Sequence, residues 1–338
     1  MYILAIETTG PVGSVAAVQV AERGRAAGAA TAVQVGDKVQ AAGAGTESAA
    51  ESGGRIPMKV TTRTMSHLKN LIPMTEKLLD EEGIDKKDIA AVAASAGPGS
   101  FTGIRIGVST ARALSQAWNV PCISVPSLEQ FKPEYMARAG YYTGDDPVSA
   151  DSTVSGDGAV SGDSAVSGDS PVSGDDPVCV IFNARRGQVY GACFGADGTA
   201  LIEPGPYMLS DMLSRIETLR IAPVFYGDGV DAYFDKEEFS ERVSGYKTAS
   251  QDHRYQTAVL TAAYAEKLWS DGGELRSDGE KPGSDGVEHR ADGGKILGYG
   301  ELLPDYMRES EAEQRLKDGS LEKMRKAKLE RLMKMAGK

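Results

Sequence analysis

Apolar positions along the chain follow two spacings in alternation. Tyr2 to Ile6 and Ser14 to Val20 are β-rich runs joined across Thr-Gly-Pro, which predicts a hairpin. From Ser66 the spacing becomes helical: Leu68, Leu71, Ile72, Thr75, Leu78 and Leu79 share one face, and Gly83 supplies the stop. Pro73 interrupts that face and predicts a kink or a restart. Ile89 to Ser95 is a continuous apolar run, as expected of a strand covered on both faces, and it ends at Gly97-Pro98-Gly99. A helix from about Thr102 to Trp118 and a strand from Pro121 to Val125 follow. Past residue 178 the scheme repeats: strand Val178 to Asn183, turn at Arg186-Gly187, strand Gln188 to Phe194, helix Ser210 to Leu219, strand Pro223 to Tyr226, helix Gln256 to Trp269. Two successive hairpin-then-α/β halves predict an α/β fold of two lobes.

Three stretches break the scheme. Residues 22–55 are rich in Ala and Gly, with one short strand expected at Val33 to Val35. Residues 141–177 repeat a unit close to VSGDSA, with 8 acidic and no basic residues; residues 270–295 repeat an SDG theme with 7 acidic and 4 basic ones. The two acidic compositions bury too little apolar surface to offset the entropy of ordering, so 141–177 and 270–295 are expected to be disordered insertions, and 22–55 a low-complexity one. The expected organisation is an N-terminal lobe at 1–140, the acidic repeat at 141–177, a C-terminal lobe at 178–318 and a basic amphipathic tail at 319–338. That tail carries 7 basic and 2 acidic residues, with Leu321, Met324, Leu332 and Met335 interleaved.

Charge changes the picture only once it is placed. The 338 residues carry a net charge of −11, and the two acidic insertions account for all of it. Outside them the charges sum to zero, the +5 of the basic tail offsetting −5 in the lobes, and the acidity does not argue against a role linked to nucleic acid. Half of the 40 glycines also fall in the three biased stretches. No run approaches the roughly 18 apolar residues of a membrane helix. The amino terminus enters a strand-like run without the basic residues and cleavage site of a secretory signal, so a cytoplasmic protein is expected. Cys122, Cys179 and Cys193 are too few and too scattered for a disulfide framework and read as buried thiols.

Chemistry concentrates at Gly97-Pro98-Gly99-Ser100-Phe101-Thr102-Gly103-Ile104-Arg105-Ile106-Gly107. A Gly-rich turn from a buried strand into a helix start can present free N–H groups to an anion, which makes Gly97, Gly99, Ser100 and Thr102 candidates for a phosphate turn. A tight turn with close packing accounts for the same residues. Glu7-Thr8-Thr9-Gly10 is a second candidate turn, equally at home in an ordinary hairpin. Gly103, Gly107 and Ala111 lie four apart on one helix face, beside Ile104 and Val108, and favour a close interface, internal or with a partner subunit. His67, His253 and His289 lack metal-ligand spacing, so no metal is expected. There is no Gly-x-Ser-x-Gly elbow and no recognisable Cys–His arrangement, so no catalytic residue is assigned. Arg185 and Arg186 could bind an anion, though an exposed turn is their default setting.

Ile3-Leu4-Ala5-Ile6-Glu7-Thr8-Thr9, Ser66-His67 with Leu71-Ile72-Pro73-Met74, the Gly97 to Gly107 segment, Ser127-Leu128-Glu129, Asn183 to Tyr190, and Pro304-Asp305-Tyr306-Met307-Arg308 with Ser310-Glu311-Ala312-Glu313 occur in this order. Together they closely resemble the bacterial TsaB (YeaZ) family of tRNA threonylcarbamoyladenosine biosynthesis proteins, in the Gcp-like group. The resemblance implies a two-lobed fold of the actin, Hsp70 and sugar-kinase (ASKHA, ribonuclease H-like) superfamily. It further implies a non-catalytic scaffold that pairs with the transferase subunit TsaD and helps recruit the ATPase TsaE. The reaction served is threonylcarbamoylation of the adenosine beside the anticodon in tRNAs reading codons that begin with A. The partners expected are TsaD, TsaE, tRNA through the complex, and a second copy when alone; ATP or ADP is expected at the level of the complex and not as this subunit's own cofactor. Within the family the helix after GPGSFTG belongs to the pairing surface, which assigns Gly103, Ile104, Gly107, Val108 and Ala111 to a partner interface. Glu7 and Asn183 stand where the family commonly carries Asp. The alternative is an autonomous ATPase or kinase of the same superfamily, for which Asp228 is the acidic candidate.

Overall fold

A computed structural model of the chain describes residues 1–21, 58–61, 67–141, 175–271 and 293–307. The expected strand at Val33 to Val35, most of the two acidic insertions and the basic tail lie outside the described residues. Eleven strands among them form two sheets. The first sheet contains β1 (Tyr2–Glu7), β2 (Gly13–Gln19), β3 (Met58–Thr61), β4 (Ile89–Gly97) and β5 (Cys122–Pro126). The second contains β6 (Val178–Asn183), β7 (Gln188–Phe194), β8 (Ala200–Met208), β9 (Val224–Tyr226) and β10 (Lys247–Thr248), after which β11 (Lys295–Leu297) returns to the first. The helices are α1 (His67–Glu81), α2 (Phe101–Trp118), α3 (Pro133–Arg138), α4 (Leu209–Leu219), α5 (Gly229–Tyr233), α6 (Glu237–Val243), α7 (Gln251–Arg254) and α8 (Ala258–Ser270).

The two sheets are built alike. In the first, β3-β2-β1 is antiparallel and β1-β4-β5 parallel; in the second, β8-β7-β6 is antiparallel and β6-β9-β10 parallel. Each is thus a three-strand meander extended by parallel strands, the doubled scheme legible in the sequence. Strand periodicity sorts the core of the first lobe. Leu4, Ile6, Val92 and Ala94 face α1 and α2, while Ile3, Ala5, Ala91 and Ala93 face α8. Both faces are covered, which is why β4 is apolar at every position but Ser95 and Gly97.

Four details differ from the sequence pattern. Helix α1 runs through Pro73 as one element, held by Leu71, Leu78 and Leu79 against the sheet. Strand β8 was hidden by Pro204 and Pro206, which an edge strand tolerates because its outer N–H groups need no partner. The division of the chain at 178–318 does not follow the division between sheets. Helix α8 packs on the first sheet, and β11 pairs with β5 antiparallel. The boundaries of the insertions shift as well: Tyr141 is anchored by its hydroxyl to the Tyr255 carbonyl at 3.1 Å, and the Gly294 N–H donates to the Tyr264 hydroxyl at 2.6 Å.

One apolar cluster joins the lobes. Leu128, Phe131 and Met136, following β5, pack with Leu260 of α8 against Val178, Val180, Phe182, Phe194 and Tyr226 of the second sheet. Phe131 is fully buried, with ring centroids 6.0 Å from Phe182 and 5.8 Å from Tyr226.

Candidate functional site

Glu7 ends β1 with its side chain fully buried. Its Oε1 accepts from the Thr9 backbone N–H and the Thr9 hydroxyl, each at 2.6 Å. Its Oε2 accepts from the Ser95 hydroxyl and from Gln130 Nε2, the latter at 3.1 Å. Thr261, which donates to Gln130 Oε1 at 2.9 Å, places its hydroxyl 3.4 Å from the same oxygen. Strand β4, the segment after β5, helix α8 and the first hairpin thus converge on one carboxylate. Neutral partners from every side satisfy a carboxyl group that would otherwise be costly to bury. Among the described residues no group of three or more His, Cys, Asp or Glu could hold a metal ion.

The two candidate phosphate turns meet, and they bind each other. The Thr8 hydroxyl donates to the Gly103 carbonyl at 2.7 Å, and the Ser100 N–H donates to the Thr9 carbonyl at 2.8 Å. Ser100 caps α2 by accepting from the Gly103 N–H at 3.3 Å. Gly97 holds a left-handed φ of 132° where the Asp305 backbone passes against it, so the strap after β11 closes over the turn. The Asp305 N–H donates to the Ala96 carbonyl at 2.7 Å. Of the residues singled out from sequence, Glu7, Thr8 and Thr9 are buried, whereas Ser100 and Thr102 remain exposed beside them.

The partner face expected on α2 is corrected by this packing. Gly103, Ile104, Gly107, Val108 and Ala111 all face inward and are buried. A Cβ at Gly103 would collide with the Thr8 carbonyl, and one at Gly107 would lie 2.5 Å from Thr8 Oγ1. Glycine spacing correctly signalled a close approach, but the approaching segment is the first hairpin of the same chain. The outward face of α2 presents Phe101, Arg105, Ser109 and Ala113. At its start the Arg105 guanidinium lies 4.0 Å from the Phe101 ring centroid, and its Nε donates to the Tyr306 hydroxyl at 2.8 Å. Tyr306 in turn stacks on Phe101 with centroids 4.9 Å apart. Spacing alone did not reveal this clamp, because its two halves lie some two hundred residues apart in sequence.

In the second lobe the Asn183 N–H donates to Asp228 Oδ1 at 3.0 Å, and Asn183 Oδ1 accepts from the Arg185 N–H at 2.8 Å and the Tyr233 hydroxyl at 2.9 Å. Burial pushes the Asp228 carboxyl above the usual carboxylate range, with the charge of Asp231 adding to it and the Asn183 N–H opposing. Asp228 therefore braces the β6–β7 hairpin, where Arg185 and Arg186 adopt left-handed φ values of 67° and 55° and stand exposed.

Residues 40–150 match the family model of TsaD, described as tRNA N6-adenosine threonylcarbamoyltransferase. Among solved structures, the fold is similar to the crystal structure of an uncharacterized protein with similarity to peptidase YeaZ from Pseudomonas aeruginosa, with a TM-score of 0.54 at 18% identity, covering 91% of this chain and 99% of that one. YeaZ from Pseudomonas aeruginosa is similar with a TM-score of 0.49 at 16% identity, over 90% of this chain and 99% of that one. The two like-built sheets and the family match agree with one another: the fold is similar to that of the first of these structures, and residues 40–150 are similar to TsaD, a family of the ASKHA fold.

Proposed function

We propose that the chain is a non-catalytic scaffold subunit for threonylcarbamoylation of tRNA adenosine, acting in the cytoplasm by pairing with TsaD and helping to recruit the ATPase TsaE. The family match ties residues 40–150 to this modification at family level. The observation that carries the scaffold reading is the state of Glu7: four side chains and one backbone N–H close on its carboxylate, and the adjoining turns are engaged with one another. Residues that could have cradled a phosphate hold the first lobe together instead. The joined apolar cluster between the lobes suits a rigid platform better than a cleft that opens and closes.

Helices α1 and α2 lie together on one face of the first sheet and leave Ile72 and Phe101 exposed. Their outward sides are the surface proposed for pairing with TsaD, and with a second copy when TsaD is absent. Nucleotide belongs to the assembled complex in this reading. Depleting the chain from its host and measuring threonylcarbamoyladenosine in bulk tRNA tests the assignment. Loss of the modification is expected, and unchanged modification would overturn it.

A further inference from the structure

Two of the three cysteines face one another across a ladder. Cys179 on β6 is registered directly opposite Cys193 on β7, and both are fully buried in one apolar cluster with Met212, Phe225 and Tyr233. The kind of pair follows from the neighbouring strand. The Val224 N–H donates to the Pro177 carbonyl at 2.8 Å, so odd-numbered positions entering β6 turn their backbone groups toward β9 and away from β7. Cys179 and Cys193 are thus a non-hydrogen-bonded pair, the type whose Cα atoms approach to about 4.5 Å. That separation lies within the roughly 4.4 to 6.8 Å at which two cysteines can be bridged.

Their present state as thiols has a physical cause. Burial, followed by the hydrogen bond with its neighbour Cys193, holds the Cys179 thiol well above the usual range, so little thiolate is present. Access comes through β7. Its ladder with the edge strand β8 shifts register on both sides of Cys193, which makes this the place where β7 is least tied to its neighbour.

We propose that Cys179 and Cys193 are a redox modification site, converted to an intramolecular disulfide by a peroxide. One sulfur attacks hydrogen peroxide, breaking the O–O bond to give a sulfenic acid and one water. The second sulfur displaces the sulfenic hydroxyl, which leaves as a second water while the S–S bond forms. Two thiols lose two protons and two electrons, and one peroxide is reduced to two waters. The bond ties β6 to β7 and returns to thiols by exchange with a dithiol reductant.

The test uses the full-length chain treated with hydrogen peroxide, quenched, alkylated in denaturant and digested with trypsin, which cuts at Arg185 and Arg186 between the two cysteines. The expected product is one cross-linked peptide pair, two hydrogen masses lighter than the separate thiol peptides and released by dithiothreitol. Cys122, which donates to the Ala111 carbonyl at 3.8 Å and has no cysteine opposite it, is expected to remain alkylatable. Closing a loop of this size should also raise the Tm of the oxidised chain by several degrees, and Cys193→Ser should lose both signals. Cys122→Ser, which leaves the pair intact, should keep them. Separate sulfinic acids on Cys179 and Cys193, or two free thiols after exhaustive treatment, would overturn the proposal.

Discussion

At the scale of single residues, the GPGSFTGIRIG segment works by what its glycines omit. Gly103 and Gly107 let the first hairpin lie directly on α2, with the Thr8 hydroxyl bonded to the Gly103 carbonyl. Gly103→Val is therefore expected to destabilise the isolated chain by about 1–3 kcal/mol or more, read as a lower urea midpoint, because backbone cannot yield as a side-chain end can. A variant that kept its midpoint and lost only a partner would show that the contact is not made. Tyrosines give a second prediction. Burial pushes Tyr255 and Tyr264 from 10.0 up to about 12; the bond to Asp231 adds to the first, and the Gly294 N–H opposes the second. The unfolded chain releases these protons near pH 10 while the folded chain still holds them. Their contribution is thus intact below pH 10 and lost as pH rises toward 12. Denaturation midpoints at pH 9 and 11, with phenolate absorbance, should show stability falling as those groups resist ionisation.

At the scale of elements, what the sequence made legible and what it hid have separate causes. The first hairpin and β4 were readable as short apolar runs covered on both faces, and α2 because it buries a regular stripe on its own lobe. The place of α8 was not readable. Its alanines pack on the first sheet while Leu260 reaches the second, so it is apolar almost all round and carries no directional stripe. Strand β8 escaped because Pro204 and Pro206 argue against an interior strand and only its edge position permits them. At the candidate site Glu7, Thr8, Thr9 and Ser100 were each signalled by turn chemistry, but not that the two turns meet. Ser95 and Thr261 are single polar residues in apolar runs and Gln130 lies in a short polar connection, so the three that complete the enclosure of Glu7 gave no pattern to find. The element joining the lobes is open to direct test. Phe131→Ala should cost about 3–5 kcal/mol, because its ring fills the space between Phe182 and Tyr226. If the lobes are coupled through this cluster, calorimetry of the parent should show one transition and that of the variant two. An unchanged profile would mean that the lobes are stabilised independently.

At the scale of the whole molecule, the acidic insertions carry a charge equal to the net −11, and the +5 of the basic tail offsets −5 in the two lobes. Its two sheets share one plan and are joined by a common apolar cluster, its first-lobe turns are engaged with each other, and its second-lobe Asp228 braces a hairpin. The surface proposed for recognition is the outward side of the helices on the first sheet. The most direct test places a large charged side chain there without touching the packing beneath. Ala113 is exposed on α2, and arginine is a good helix former, so Ala113→Arg should leave the thermal midpoint of the isolated chain unchanged. The measurement is binding of purified parent and variant to TsaD from the same host, paired with restoration of threonylcarbamoyladenosine in depleted cells. The scaffold account predicts that the parent binds TsaD and restores the modification, while the folded variant does neither. Equal binding and equal restoration by Ala113→Arg would contradict pairing through this face, and failure of the parent itself to bind would contradict the scaffold role.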